Sequence, residues 1–298
     1  MKYTLLGLLL AFVASSVLAK SYVGMGSFQS EYAGSEFDRS YESDVNEIRQ
    51  INFGYNNKDM LEIFGGVNVD ENDEVRDFAL GFALKDKIIR LERGKISGTI
   101  VDEDGPVIGT FDNDYQRLDI LNQSSDGEGF QMGLGIQQYA VPHLFELNDG
   151  SIQGEMLQDD ALAVTSVGLG IYYDPIYQYL MSDQTGFKSD WYFSTSALAI
   201  SLAYMENSDS PDLVSRDMQG QSWLMWGNSG TYEFGWLWGY QTPFISVVAN
   251  VGYHLRANNF LNLNPAEFFA TEADEGDIGL SMEQTILHGL VAAVSVSF

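Results

Sequence analysis

The sequence contains no cysteine, and only six prolines, three histidines and fifteen basic residues among its 298 positions. Without cysteine there is no disulfide framework, no thiolate-ligated zinc and no thiol nucleophile. The fifteen bases face 42 acids, which leaves a formal charge of −27 and a pI near 4.1. That balance excludes a nucleic-acid partner, because phosphate binding needs clustered Lys and Arg. Long apolar runs are missing as well. The best stretches inside the chain, 161–173, 197–205 and 244–253, fall short of the ~20 residues of a spanning helix, and each alternates or carries Gly, Ser or Asn. What is present is a 45% hydrophobic content with 13% aromatics and 30 glycines. This is ample for a sizeable core and unlike the composition of a disordered chain.

The first nineteen residues read as a secretory leader. Lys2 gives a positive start, Leu5 to Val13 an apolar segment, and Val17-Leu18-Ala19 medium and small residues before Lys20. We therefore expect a signal peptide over 1–19 and one domain over 20–298. Removing Lys2 with the leader takes the formal charge from −27 to −28. No cysteine follows the cleavage point, so a lipoprotein anchor is excluded. An exported chain without a spanning helix is either soluble or a closed β-barrel, which satisfies its backbone between strands.

The last residues favour the barrel. His288, Leu290, Ala292, Val294, Val296 and Phe298 form one face of a strand, and Gly289, Val291, Ala293, Ser295 and Ser297 the other. With the leader, this alternating terminal strand ending in Phe298 resembles Gram-negative outer-membrane β-barrel proteins. The likeness covers about eleven residues and names a broad superfamily rather than one family. It implies an all-β fold, a closed antiparallel transmembrane barrel with long acidic extracellular loops, integral in the outer membrane. The partners it implies are lipid, lipopolysaccharide and the barrel-assembly machinery that reads the terminal strand.

Period-2 alternation between turn residues predicts strands at about 21–31, 46–55, 60–69, 76–85, 87–99, 115–122, 129–139, 161–173, 188–205, 230–240, 244–256 and 287–298. The count is about 12, with 10 to 14 compatible; an even number suits a single-chain bacterial barrel. The fifth strand is the least regular, crowded by Arg90, Glu92, Arg93 and Lys95. The connections alternate as well. Outside loops are expected at about 32–45, 70–75, 100–114, 140–160, 206–229 and 257–286, and inside turns at 56–59, Asp86, 123–128, 174–187 and 241–243. Of these turns only 174–187 is long. The six outside loops hold about two-thirds of the 42 acids and only Arg39 and Arg216 as bases.

Three histidines leave little room for hydrolytic chemistry. His288 falls on the lipid face, His143 follows Pro142 in an outside loop with no Ser neighbour, and His254 shares a face with Ser246 and Asn250, the latter ~13 Å away along the strand. No Asp-x-His couple occurs, so no catalytic residue is assigned and the chain is expected not to be an enzyme. Acidic runs at 70–74 and 102–105 offer hard oxygen ligands without EF-hand spacing, so we expect no cofactor and no dedicated metal site, only loosely bound divalent cations. Asn264-Pro265-Ala266-Glu267 reads as a helix start in the last loop.

The expected lumen residues include Ala79, Gly81, Ala83, Gly168, Gly170, Ala197, Ala199, Ser201, Ala203, Gly289, Ala293 and Ser295, which are small and mostly uncharged. Such walls either widen a narrow bore or leave room for a plug. The reading is a porin-like channel for small solutes whose acidic mouth favours cations. The alternative is a closed-lumen surface-structural or adhesive barrel, with an outer-membrane lipid hydrolase behind both.

Overall fold

A computed structural model describes residues 19–36, 39–42, 46–57, 61–70, 75–84, 86–101, 107–123, 129–141, 144–146, 152–154, 162–206, 222–263 and 282–298. The predicted leader, His143, the acidic runs 71–74 and 102–105 and the predicted helix start at 264–267 lie outside these residues, apart from Ala19 and Asp70.

Twelve strands make the wall: β1 Ala19–Glu36, β2 Asn46–Asn57, β3 Leu61–Val69, β4 Val75–Leu84, β5 Lys87–Val101, β6 Val107–Asn122, β7 Gln131–Val141, β8 Leu162–Tyr173, β9 Gly186–Glu206, β10 Ser222–Gln241, β11 Ser246–Leu263 and β12 Met282–Ser297. Each pairs antiparallel with its neighbours in sequence, and β12 pairs β1, which closes the ring. The seam ends in a reciprocal backbone pair, Ser21 N to Phe298 O at 3.0 Å and Phe298 N to Ser21 O at 2.9 Å. Short strands Arg39–Glu42, Leu144–Glu146 and Ile152–Gly154 extend the ladder between wall strands. No helix among the described residues is long and apolar enough to cross a membrane, which leaves the strands to do so.

All twelve predicted strands are present, and the differences fall at one end. β6 begins at Val107 rather than 115, β10 at Ser222 rather than 230, β11 runs on to Leu263, and β12 begins at Met282. Asp112 and Asp114, expected in a loop, are strand residues. In these upper segments polar residues interrupt the apolar period while the ladder continues, so alternation alone ends the strand too early.

The outward side chains form an apolar belt. Met25, Ile89, Leu91, Leu118, Ile120, Leu134, Ile136, Phe234, Val251, Leu290 and Val294 are all exposed. Such a belt is intolerable in water and fits a hydrocarbon solvent. Trp238 and Trp226 mark its two margins on β10. Twelve residues at about 3.3 Å each, tilted about 40°, separate them by ~30 Å along the barrel axis, close to the height of a membrane belt with its aromatic girdles. At the Trp238 margin Trp191 meets Trp236 edge to face, 5.0 Å between centroids.

The wall strand β9 contains one irregularity with consequences. Its register against β10 shifts between Leu198 and Ser201. Leu198 is fully buried and lies against Gly135, whereas Ile200 and Leu202 remain outward. Strict alternation places Leu198 on the lipid face and Ala197 and Ala199 in the lumen. The bulge overturns both placements, because one extra residue changes the parity of everything below it.

A short helix α1, Pro175–Met181, occupies the connection between β8 and β9 that is expected as a plain turn. Asp174 caps it by accepting from Tyr177 N at 3.0 Å, Pro175 opens it, and Ser182 closes it with bonds to the Tyr179 carbonyl. Seven residues cannot hold a helix by themselves, so packing must do so. Tyr177, Tyr179 and Leu180 are buried in a core with Tyr22, Phe64, Ile88, Leu121, Tyr192, Leu237 and Val248, all from the barrel wall. The helix therefore lies inside the mouth at the short-turn end.

Candidate functional site in the barrel lumen

The helix is tied to the wall on several sides. Ser297 on β12 donates to the Leu180 carbonyl at 2.9 Å, and the Gln178 side chain donates to Gly129 O, between β6 and β7, at 3.2 Å. Lys20 on β1 pairs with Asp183 at 2.8 Å and donates to Ser182 O, while Tyr177 donates to Glu62 on β3. Room for its rings comes from small wall residues. A β-carbon at Gly54 would strike Tyr22 and Tyr177, and one at Gly239 would strike Tyr179. The small lumen residues expected from sequence do face inward at Gly81, Gly168, Gly170 and Ser295, but they accommodate large neighbours: Gly81 faces the Phe64 ring and Gly170 faces Leu121 and Asp119.

The lumen is also far from uncharged. Arg90 on β5 binds Glu92 at 2.8 Å and approaches Asp119 on β6 at 3.5 Å, and Arg117 binds Asp119 at 2.9 Å. From β11, diametrically opposite β5 in a ring of twelve, Arg256 reaches across to Glu92 at 3.4 Å. Its guanidinium lies 3.5 Å over the Tyr115 ring and donates to the Tyr115 hydroxyl, which in turn donates to Glu92 at 3.2 Å. The bore is thus spanned by side chains at a second level, above α1.

These residues were within reach of the sequence. Arg90 and Glu92 alternate with Ile89 and Leu91, and Arg117 and Asp119 with Leu118 and Ile120. Charged residues inside a strand whose other face is apolar mark the inward side. What no local pattern shows is that Arg256 and Glu92, 164 positions apart, meet across the barrel.

A second group stands beside this crossing. Glu233 accepts from the Tyr192 hydroxyl at 2.6 Å and from the Asn250 amide at 3.3 Å. His254 stacks on Phe28 at 4.7 Å, with Nδ1 at 3.6 Å from Glu233 Oε2, too long for a hydrogen bond. Asp77 accepts from Asn68 at 2.7 Å. Between the two closures lies a cavity of about 190 Å³, whose lining runs from Asp174, Ile176 and Tyr177 at the helix to Glu92 and Arg256 at the crossing. Several polar atoms on or near it are buried with no hydrogen-bond partner, among them His254 Nδ1 and Ser196 Oγ.

The expected histidine positions divide accordingly. His254 is inward on the face of Ser246 and Asn250, and His288 is outward, its Nδ1 2.8 Å from the Tyr253 hydroxyl. Ser196 Oγ has no partner, so no serine hydroxyl is coupled to the His254 imidazole among the described residues. Nor do the described residues contain a group of three or more His, Asp or Glu arranged to hold a metal. Asp70, expected as a solvated loop charge, is buried and bound by Arg76 at 2.9 Å, with Arg49 donating to its carbonyl at 2.8 Å.

The closed ladder, the apolar belt and the filled polar lumen define a twelve-stranded barrel of the outer-membrane type. No family model matches the chain, and no curated protein matches it by sequence. Among solved structures it is similar to the outer-membrane protease OmpT of Escherichia coli, with 9% identity, 94% of this chain and 96% of that chain covered, and a TM-score of 0.32. It is also similar to the P. putida toluene transporter TodX, with 8% identity, 95% and 90% covered and a TM-score of 0.27. A third is OccK11 of Pseudomonas aeruginosa, with 9% identity, 94% and 96% covered and a TM-score of 0.21. Likeness this remote carries neither proteolysis nor transport to this chain.

Proposed function

We propose that this chain is an integral, non-enzymatic outer-membrane barrel that passes small solutes through a lumen closed at two levels. The short-turn end then faces the periplasm and the acidic loops face outward beside lipopolysaccharide, where divalent cations bridge carboxylates and lipid phosphates. The leader over 1–19 carries the chain across the inner membrane, and the terminal strand is read by the barrel-assembly machinery.

The observation that carries this reading is the polar cavity between two closures, each of which can move without breaking the ladder. A lumen that needed only filling would gain as much from apolar side chains, since buried ion pairs seldom outperform hydrophobic packing. Here the crossing rests on one arginine, and the floor is a separate seven-residue helix seated by packing and hydrogen bonds rather than by the ladder. Planar-bilayer recording tests the proposal. The wild-type barrel should conduct weakly, and a variant with Arg256→Ala and 175–185 replaced by an Asn-Gly turn should conduct steadily and favour cations. A folded double variant without conductance refutes the channel. The closed surface-structural barrel is the second reading, favoured by the number of strands that the charged network braces.

A further inference from the structure

The lumenal cavity is unbalanced in charge and in hydrogen bonding, and both imbalances have the same sign. Its lining includes the carboxylates of Asp77, Glu92, Asp174 and Glu233 but only the guanidiniums of Arg90 and Arg256. Both guanidiniums are engaged by Glu92, and Arg90 also by Asp119. Among the described residues, Asp77, Asp174 and Glu233 have no Lys or Arg within ion-pair distance; their partners are an asparagine, a backbone N–H, a tyrosine and an asparagine. Partly buried carboxylates without a counter-charge carry a desolvation cost, and a cation is what relieves it.

The unpartnered atoms say what kind of cation. His254 Nδ1 and Ser196 Oγ lie on the same cavity, both residues more than nine-tenths buried, and neither has a hydrogen-bond partner. Glu233 Oε2 stands 3.6 Å from that imidazole nitrogen, so a donor seated between them reaches both. An ammonium head group brings three N–H donors. A metal ion is disfavoured, because the carboxylates are dispersed and no cluster of three ligands exists among the described residues. The rest of the lining mixes polar and small residues with aromatic rings: Phe28 stacks on His254, and Phe64 stacks on Tyr172 at 5.2 Å. Such faces suit an alkyl chain and a cation together. The cavity of about 190 Å³ has room for a small organic cation.

We propose that the chamber between α1 and the Arg256 crossing is a binding site for a small primary alkylammonium ion, its head group on Glu233 Oε2 and His254 Nδ1 and its tail along Phe28, the ring that stacks on His254. His254 acts as acceptor in its Nε2–H tautomer. The assignment rests on the channel reading for its biological sense, but the binding itself does not require conduction. The test is titration calorimetry of the full barrel refolded in detergent, using n-butylammonium chloride, with n-butanol as the neutral probe of equal size and empty micelles as the blank.

Saturable binding of butylammonium is expected, with butanol binding at least tenfold weaker. Glu233→Gln should weaken butylammonium binding tenfold or more. Ser196→Val, which keeps the backbone register and fills part of the cavity, should do the same if Glu233→Gln fails the heat-shift test for folding. No saturable binding by the wild type, equal binding of butanol, or undiminished binding by the folded variants overturns the site. Conductance without binding overturns the site and spares the channel; binding without conductance spares the site and overturns the channel.

Discussion

If Arg256 closes the bore by gripping Tyr115, the two residues must be energetically coupled although they lie on β11 and β6. The guanidinium makes two separable contacts with Tyr115: a charged hydrogen bond to the hydroxyl and a stack over the ring at 3.5 Å. Tyr115→Phe removes the first and keeps the second; Arg256→Met removes both while preserving the aliphatic length. A hydrogen bond to a charged group is worth about 1.5–3 kcal/mol, and a desolvated cation–π contact about 1–2 kcal/mol. Removing Arg256 does not strand Glu92, which keeps Arg90 at 2.8 Å, so the larger penalty for orphaning a buried charge is avoided.

The single changes should therefore cost about 2.5–4 kcal/mol for Tyr115→Phe, which also loses the hydroxyl's bond to Glu92, and about 2.5–5 kcal/mol for Arg256→Met. Once Arg256→Met is in place, the Tyr115 hydroxyl still donates to Glu92 at 3.2 Å, so deleting it should cost about 1 kcal/mol. The double-mutant cycle then gives a coupling of about 1.5–3 kcal/mol, the worth of the charged hydrogen bond. Reversible urea unfolding in phospholipid vesicles, followed by tryptophan fluorescence, measures all four corners. Additivity within ~0.5 kcal/mol would show that the two walls do not meet and would remove the upper closure.

Phe234→Arg, outward and midway in the belt, should cost about 2–4 kcal/mol in the same assay, whereas the charge introduced by Trp238→Arg at the girdle should add only about 0–1 kcal/mol; equal charge costs would misplace the membrane. Neutralising Glu71, Asp73 and Glu74 should lower cation selectivity in a reversal-potential measurement without lowering stability, while adding Asp70→Asn should lower stability because Asp70 anchors Arg76. Burial pushes the Asp174 carboxyl up to about 6, against the opposing hydrogen bond from Tyr177 N and with help from nearby Glu233. Since that value lies above the unfolded one, the docked helix is most stable at low pH and loses this contribution as pH rises through 6. Conductance should therefore be lower at pH 5 than at pH 7.5, and Asp174→Asn should flatten the difference; a profile unchanged by that substitution would exclude Asp174 as its origin.

The wall of this protein is legible because lipid imposes a strict rule on every second residue. Ile89, Leu91, Leu118 and Ile120 have to be apolar, and their spacing locates β5 and β6 even through a run of charges. The lumen obeys no such rule. Its residues are chosen by what stands across the bore, and Arg256 and Glu92 become neighbours only once twelve strands have set the circumference. Leu198 escapes the pattern for a different reason, since the bulge that turns it inward leaves no mark in the hydrophobic alternation. The helix is the nearest miss. The one long inside turn carries Asp174-Pro175, a cap and first-turn pair that announces a helix, and the aromatic residues after it are those that fill the mouth.

The charge distribution connects the outside of the barrel with its interior. The connections at the long-loop end carry most of the acids, yet a surface field decays over about 8 Å at physiological ionic strength. Selection at the mouth therefore concentrates cations there but cannot choose among them inside the bore. Deeper in, Glu233, its side chain 13% exposed, sits behind low-dielectric walls where screening is weak and a single carboxylate has a larger effect. The arginines of the crossing stand between these two acidic regions, bound to Glu92 and Asp119 and so unavailable to an entering anion. On the proposed channel reading, a cation arriving from the loops would meet a positive gate that is already neutralised, then the Glu233 carboxylate, which has no Lys or Arg partner among the described residues. On that reading the charges would filter by sign at the mouth and by shape in the chamber, with the fold itself held by the ladder and the belt.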